Sequence, residues 1–300
     1  MVKNHKGVPG SRLLFLFAEN DDMKRVSIQG YPGAFHEIAA RTYYPAEQIQ
    51  VIACDTFEDV VERTQAHNEC DIGMMAIENT ISGSLLSNYM LLYTGKLNIN
   101  GEVYLRIKQN LLTLPGVKIE DLREVYSHPI AIAQCREFFE LHPHIKLIEH
   151  IDTALSARMV RDWAKPEIGA VASTLAADMY GLTILKRSIE TNKQNYTRFL
   201  VLDRKPHKLT YQYNKMSICF TVSHEIGSLH KVLSILAFHH ANLTKIQSVP
   251  LLGKPFEYLF FADFILENTE HMKHALDAIK PFTGRMKILG NYPKGEYYAN

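Results

Sequence analysis

The sequence predicts an α/β protein in two parts: a two-lobed body of alternating strands and helices, then a smaller ferredoxin-like unit of order βαββαβ. Three observations carry this. Short apolar runs alternate with helix-periodic segments from about residue 25 to 203. A polar stretch, Asp203-Arg204-Lys205-Pro206-His207-Lys208, then reads as a linker. Beyond it the rhythm changes to strand, helix, two strands, helix and strand.

Taken in order, residues 1–22 are expected to be a non-structural leader. The apolar run at 13–18 is short, acidic residues follow it, and it has no small-residue cleavage site. Residues 26–28 form the first strand, Gly30-Tyr31-Pro32-Gly33 turns the chain, and a helix runs through Ala40. The second strand is 49–53. Thr56, with Asp59 three residues on, caps a helix to about His67. Residues 72–77 make a buried strand that ends in the polar turn Glu78-Asn79-Thr80, before a helix at 85–92. After extended segments near 99–114, strands at 124–126, 146–149 and 168–172 alternate with helices at 131–141, 153–163 and 175–180. Gly181 closes the last of these helices. Strands at 182–185 and 196–202 complete the body, the latter free to return to the first lobe. A mostly parallel sheet with helices on both faces is the expected result. In the smaller unit, strands at 216–222, 243–249, 258–264 and 286–289 accompany helices at 227–239 and 270–279. The expected divisions are 1–22, 24–203, a linker at 204–214, and 215–294.

Composition narrows the function. With 33 basic and 32 acidic residues and no charged run, the chain lacks the basic patch of a nucleic-acid surface. No apolar run approaches the roughly 20 residues of a membrane span. Cys54, Cys70, Cys135 and Cys219 are scattered, which favours reduced thiols and a cytoplasmic setting over a disulfide framework. The pairs His142/His144 and His239/His240 have the wrong spacing to share a helix face, so no metal site is expected.

Several strand ends open directly into helices: 30–35, 78–84, 127–129, 152–154 and 173–174. Free N–H groups at such points bind anions, and ligands of open α/β sheets sit beyond the carboxyl ends of strands. Capping alone also explains Ser, Thr and Asp there. The segment Asn195-Tyr196-Thr197-Arg198-Phe199 is more specific. Strand alternation puts Asn195, Thr197 and Phe199 on one face and Tyr196 and Arg198 on the other. Such a polar and aromatic row is costly to bury without partners, unless the strand is a solvated edge.

These residues carry a resemblance to the prephenate dehydratase family. Residues 195–199 match its N-x-T-R-F motif, and Ile77-Glu78-Asn79-Thr80-Ile81-Ser82-Gly83 matches I-E-N-[ST]-x-x-G. Ser127-His128-Pro129-Ile130-Ala131-Ile132-Ala133-Gln134-Cys135 matches S-H-P-x-A-x-x-Q-C, and Tyr180-Gly181-Leu182-Thr183-Ile184-Leu185 is similar to Y-G-L-x-I-L. Order and spacing agree across roughly 26–203.

The resemblance implies a two-lobed body like that of periplasmic solute-binding proteins. It also implies conversion of prephenate to phenylpyruvate, with loss of carbon dioxide and water, in phenylalanine biosynthesis. Thr197 matches the family's essential threonine, as hydrogen-bond donor to the departing hydroxyl. Arg198 would meet a carboxylate, although alternation turns it away from Thr197 unless the strand twists or bulges, and Glu78 would be a third catalytic group. Substrate contacts are expected from Gly33, Asn79, Thr80, Gly83, Ser84, Ser127, His128, Gln134, Thr153, Asn195 and Phe199, with no metal or organic cofactor. The first turn departs from the family's G-P-x-G-[ST]-[FY]: the proline is displaced and Ala34 lacks a hydroxyl.

The smaller unit resembles an ACT domain, a fold that binds amino acids between paired copies. An L-phenylalanine effector would contact Gly227, Ser228, Leu229, Asn242, Leu243, Gln247 and Ser248. The usual E-S-R-P element here reads Gln247-Ser248-Val249-Pro250, without its acid and arginine. A homodimer or homotetramer is expected, since paired copies create the effector site. Arogenate dehydration, a cytoplasmic non-catalytic sensor of small anions or amino acids, and a bare oligomerisation module for the smaller unit are the competing readings.

Overall fold

The structure is a computed structural model that describes residues 23–66, 69–206, 213–251, 253–266 and 269–299. The expected leader and most of the expected linker lie outside these residues.

The first lobe begins with β1 (Met23–Gln29), α1 (Phe35–Tyr43), β2 (Gln48–Cys54), α2 (Phe57–Gln65) and β3 (Ile72–Asn79). A two-residue β4 (Gly83–Ser84), α3 (Leu86–Thr94) and β5 (Asn98–Arg106) follow. The chain then crosses to the second lobe, with β6 (Asn110–Thr113), β7 (Glu124–Ser127), α4 (Pro129–Gln134), α5 (Arg136–Glu140) and β8 (Lys146–Glu149). It continues through α6 (Thr153–Trp163), β9 (Ile168–Ala172), α7 (Thr174–Tyr180) and β10 (Thr183–Lys186). β11 (Tyr196–Asp203) returns to the first lobe. The last part comprises β12 (Lys215–Thr221), α8 (Ser228–Phe238), β13 (Asn242–Pro250), β14 (Tyr258–Ile265), α9 (Thr269–Ile279), β15 (Met286–Tyr292) and β16 (Tyr297–Tyr298).

Local sequence explains the boundaries. Thr56 and Asp59 form the expected capping box of α2, and Asp152 and Ser173 cap α6 and α7 with their side chains. Gly181 ends α7 in the left-handed region. The helix expected at 131–141 is two short helices, broken at Cys135.

The sheets are mixed rather than mostly parallel. β1, β2 and β3 run parallel, but β11 lies antiparallel between β3 and β5. The second lobe's sheet has the order β10-β6-β9-β7-β8, and β6 is antiparallel to both its neighbours. The chain passes between the lobes twice, and each pass reverses a strand. The crossing segments are tied together, Ile107 N–H donating to Asn195 O and Ile189 N–H to Gln109 O.

The last part has the expected βαββαβ order, with strands arranged β13-β14-β12-β15. It is not a separate sheet. β15 joins β5 through Gly290 opposite Ile99, and β16 pairs with β5. A Cβ on Gly290 would lie 2.2 Å from the Ile99 carbonyl oxygen, so only glycine permits this approach. One apolar core lies along this seam, where Met75, Ile77 and Leu200 of the body meet Phe261, Leu289 and Tyr292. Another joins the two lobes, with Val26, Ile28, Phe199, Ala157 and Ala176 among its members.

Candidate active site

A cleft of about 550 Å³ opens between the lobes. It receives Thr197 and Phe199 from β11, Asn79 from the end of β3, Ser82 from the turn after it, and the start of α1 from the first lobe. The second lobe contributes His128, Gln134, Asp152 and Thr153, and Gln109 comes from a crossing segment.

Thr197 is held by a chain of amides whose orientation starts at the backbone. Asn79 Oδ1 accepts from the N–H groups of Ile81 and Ser82, both at 2.9 Å. Its Nδ2 therefore faces β11 and donates to Asn195 Oδ1 at 2.8 Å and to Thr197 Oγ1 at 2.9 Å. Asn195 Nδ2 donates onward to Gln134 Oε1 at 3.0 Å, as does Gln109 Nε2 at 3.4 Å. Because Thr197 Oγ1 accepts from Asn79, its own hydrogen remains free to be donated. The far end of the chain, Gln109 Oε1, is buried and has no partner.

Two neutral imidazoles add donors. Ala76 N–H donates to His36 Nε2 at 3.4 Å and Ile130 N–H to His128 Nδ1 at 3.2 Å, which leaves the proton on the opposite nitrogen of each ring. Burial lowers the His36 pKa to about 3 and also lowers that of His128. His36 packs edge-on against Phe199, with ring centroids 4.9 Å apart.

Helix starts divide into open and occupied ones. α1 begins at Ala34 without a side-chain cap, so its first amides can meet an anion. α2 is closed by its capping box and α6 by Asp152, whose Oδ1 accepts from Leu155 N–H at 2.8 Å. Burial pushes the Asp152 carboxyl above its ordinary pKa, against the pull of its backbone donors.

Several expected contacts lie elsewhere. Arg198 is turned to the opposite face from Thr197 and is 4% exposed. The register irregularity after it does not bring the two together. Its Nε donates to Glu102 at 2.7 Å, its Nη1 to Asp263 of β14, and its Nη2 to the Tyr292 hydroxyl of β15. Burial works against its charge, but these acids outweigh that and hold it protonated well above the usual range. Lys215 also donates to Glu102, at 2.8 Å. Arg198 is thus a seam residue rather than a substrate ligand. Glu78 shares that fate, since β3 alternation opposes it to Asn79. Lys245 of β13 donates to both Glu78 and Ser84.

Thr80 ties down the 194–196 turn, accepting from Tyr196 N–H at 2.9 Å and donating to Gln194 O at 2.8 Å. Gly83 lies at the exposed β4 turn. Ser127 is fully buried and donates to Val171 O at 2.7 Å. Gly33 N–H is consumed by Glu37 Oε2 at 2.7 Å, and Gly33 O accepts from Ser173 at 2.6 Å, so this turn docks the lobes. Asn79, His128, Gln134, Thr153, Thr197 and Phe199 do line the cleft, and Asn195 orients them from behind. His36 and Gln109 were not among the expected residues, and Asp152 was expected only within the helix-opening turn at 152–154. Only Asp152 had a signal, as an N-cap ahead of Thr153. Of the expected effector residues, Gly227, Ser228 and Leu229 line a separate cavity of about 480 Å³. Asn242 lies on β13 beside the seam, at the other end of the strand from Gln247 and Ser248.

Residues 26–207 match the prephenate dehydratase family. Arogenate dehydratase/prephenate dehydratase 1, chloroplastic, of Arabidopsis thaliana is 36% identical over 293 residues, covering 92% of this chain and 74% of that protein. A solved prephenate dehydratase from Arthrobacter aurescens, in complex with L-Phe, superposes with a TM-score of 0.80 at 27% identity, over 90% of each chain. GqqA, a quorum-quenching acylase of solved structure, superposes with a TM-score of 0.81 at 32% identity, over 90% of this chain and 98% of its own.

Proposed function

The chain belongs to the prephenate dehydratase family, and from that premise we propose that its cleft performs the decarboxylating dehydration of prephenate or of its amino-acid counterpart, arogenate. Prephenate would give phenylpyruvate and arogenate would give phenylalanine. In both, the bond from ring carbon to carboxylate breaks and carbon dioxide leaves. The electron pair enters the ring, and the ring hydroxyl departs as water after gaining a proton. Aromatisation supplies the driving force, so the protein must hold the anion and assist the leaving oxygen.

The observation that carries this reading is the Thr197 hydroxyl, fixed from behind by Asn79 and free to donate into the cleft. Threonine is too weak an acid to ionise usefully, so it acts as a positioned donor to charge developing on oxygen. The uncapped start of α1 supplies amides for a carboxylate. A sensor of small anions would need no such hydroxyl.

The βαββαβ part is read as an ACT domain that binds L-phenylalanine between two copies of the chain, in a cytoplasmic homodimer or homotetramer. Two features support this: the L-Phe bound to the Arthrobacter protein, and the separation within one chain of Asn242 and Leu243, at one end of β13, from Gly227, Ser228 and Leu229, whose cavity includes Tyr258 and Phe260 at the other end. Purified protein should form phenylpyruvate from prephenate, followed by ultraviolet absorbance, or phenylalanine from arogenate, followed by chromatography. Absence of both products would end the dehydratase reading. Phenylalanine at millimolar concentration should raise the melting temperature; an unmoved transition would end the effector assignment.

A further inference from the structure

The cleft's charges point beyond the reaction class to the substrate's side chain, on the premise of the dehydratase reading above. Among the described residues that line the cleft none is Lys or Arg, whereas Asp55, Glu58 and Asp152 are acidic. A site built for two carboxylates alone would not be expected to carry that balance.

Asp152 is the informative member. The described residues include five buried carboxylates, Glu37, Glu102, Asp152, Glu190 and Asp263. Four of them face a cation: Glu37 meets Arg41, Glu102 meets Arg198 and Lys215, Glu190 meets Arg106 and Asp263 meets Arg198. Asp152, 9% exposed, has no Lys or Arg partner: its hydrogen bonds are backbone capping contacts, and the ionisable groups facing it are the imidazoles of His128 and His150. Capping α6 does not require a charge, since serine or asparagine caps as well. A buried carboxylate faced only by imidazoles lacks the permanent cation that the other four have, and the cleft is where a ligand could bring one.

Its location fits one kind of ligand. Measured from the position that a Cβ on Gly30 would occupy, Asp152 Oδ2 lies at 2.8 Å and Ala34 Cβ at 3.4 Å. The acid therefore sits beside the uncapped start of α1. A donor-rich helix end next to a lone carboxylate matches an α-amino acid group, whose carboxylate and ammonium are one carbon apart. The α-keto acid of prephenate has the carboxylate but no cation.

We propose that Asp152 is a specificity-determining residue that pairs with the α-ammonium of the substrate, so that the cleft takes arogenate in preference to prephenate. The neighbouring α1 amides hold the same group's carboxylate, and Gly30, having no Cβ, lets the acid approach this turn. The pairing selects the side chain and leaves the chemistry at the ring to Thr197.

The test is steady-state kinetics on the full chain with arogenate and prephenate, for wild type, Asp152→Asn and Asp152→Ser. Both replacements retain a capping oxygen and remove the charge. The wild type should have the higher kcat/KM for arogenate. In both variants arogenate kcat/KM should fall on the order of 30-fold, mainly through KM, while prephenate kcat/KM rises. If one variant does not fold, the wild-type ratio and the other variant still decide. A wild type that prefers prephenate overturns the assignment, as do variants in which both substrates fall together. A wild type that acts on neither substrate overturns the dehydratase reading and this assignment with it.

Discussion

The two faces of β11 are opposite electrostatic solutions built on consecutive residues. On the cleft side, Thr197 is held by neutral amides, and no Lys or Arg is among the described lining residues. On the seam side, Arg198 is locked between Glu102 and Asp263, with Lys215 and Tyr292 completing the cluster. A binding site must leave donors unspent for its ligand, so its side chains are oriented by dipoles that hold no net charge. A seam between two units must leave none unspent, because an unpaired buried charge costs several kcal/mol. The same strand thus carries chemistry on one face and cohesion on the other.

The contrast is broken most severely at Thr197. Thr197→Ala should lower kcat about a hundred- to a thousandfold, with unfolding stability changed by less than about 1 kcal/mol in a denaturant titration. Arg198→Met should do the reverse. It strands Asp263, leaves Glu102 to Lys215 alone, and should cost about 3–5 kcal/mol in the same titration, while the KM of the folded fraction stays near the wild-type value. A raised KM at unchanged stability would return Arg198 to the substrate. Arg198→Lys should fall between, because an ammonium cannot reproduce three directed contacts.

Smaller effects sharpen the comparison. Lys245→Ala removes the partly exposed contact to Glu78 and Ser84 and should cost no more than about 1 kcal/mol. A loss of several kcal/mol would show that the seam depends on this pair as much as on Arg198. His36 offers a test by pH. Its pKa is lowered from 6.5 to about 3 in the folded protein, so between those values the unfolded chain binds more protons. Its contribution to stability is present above pH 6.5 and declines as pH falls through that window. His36→Asn should flatten this part of the melting-temperature profile; an unaltered slope would show that the ring is not held neutral.

Much of this was legible in advance. The capping box at Thr56, the caps at Asp152 and Ser173 and the stop at Gly181 are local chemistry, and they fall where the sequence puts them. Strand alternation also predicted that Thr197 and Phe199 share a face and Arg198 does not, because side chains in a strand alternate whatever surrounds it. What the sequence could not supply was the identity of each face. Assigning Arg198 and Glu78 to substrate assumed that their side of the sheet was cleft. In the fold β14 and β13 bring Asp263 and Lys245 to that side, from 65 and 167 residues away along the chain.

By itself, then, the sequence determined the elements, their caps, the βαββαβ order and the threonine that points into the cleft, since these depend on neighbours a few residues apart. The tertiary structure alone decided that one sheet runs across both units, that Gly33 and Ser127 serve packing, and that Asp152 is left without a Lys or Arg partner. Those outcomes depend on which distant charges and backbone groups the fold brings within a few ångströms, and spacing along the chain does not encode that.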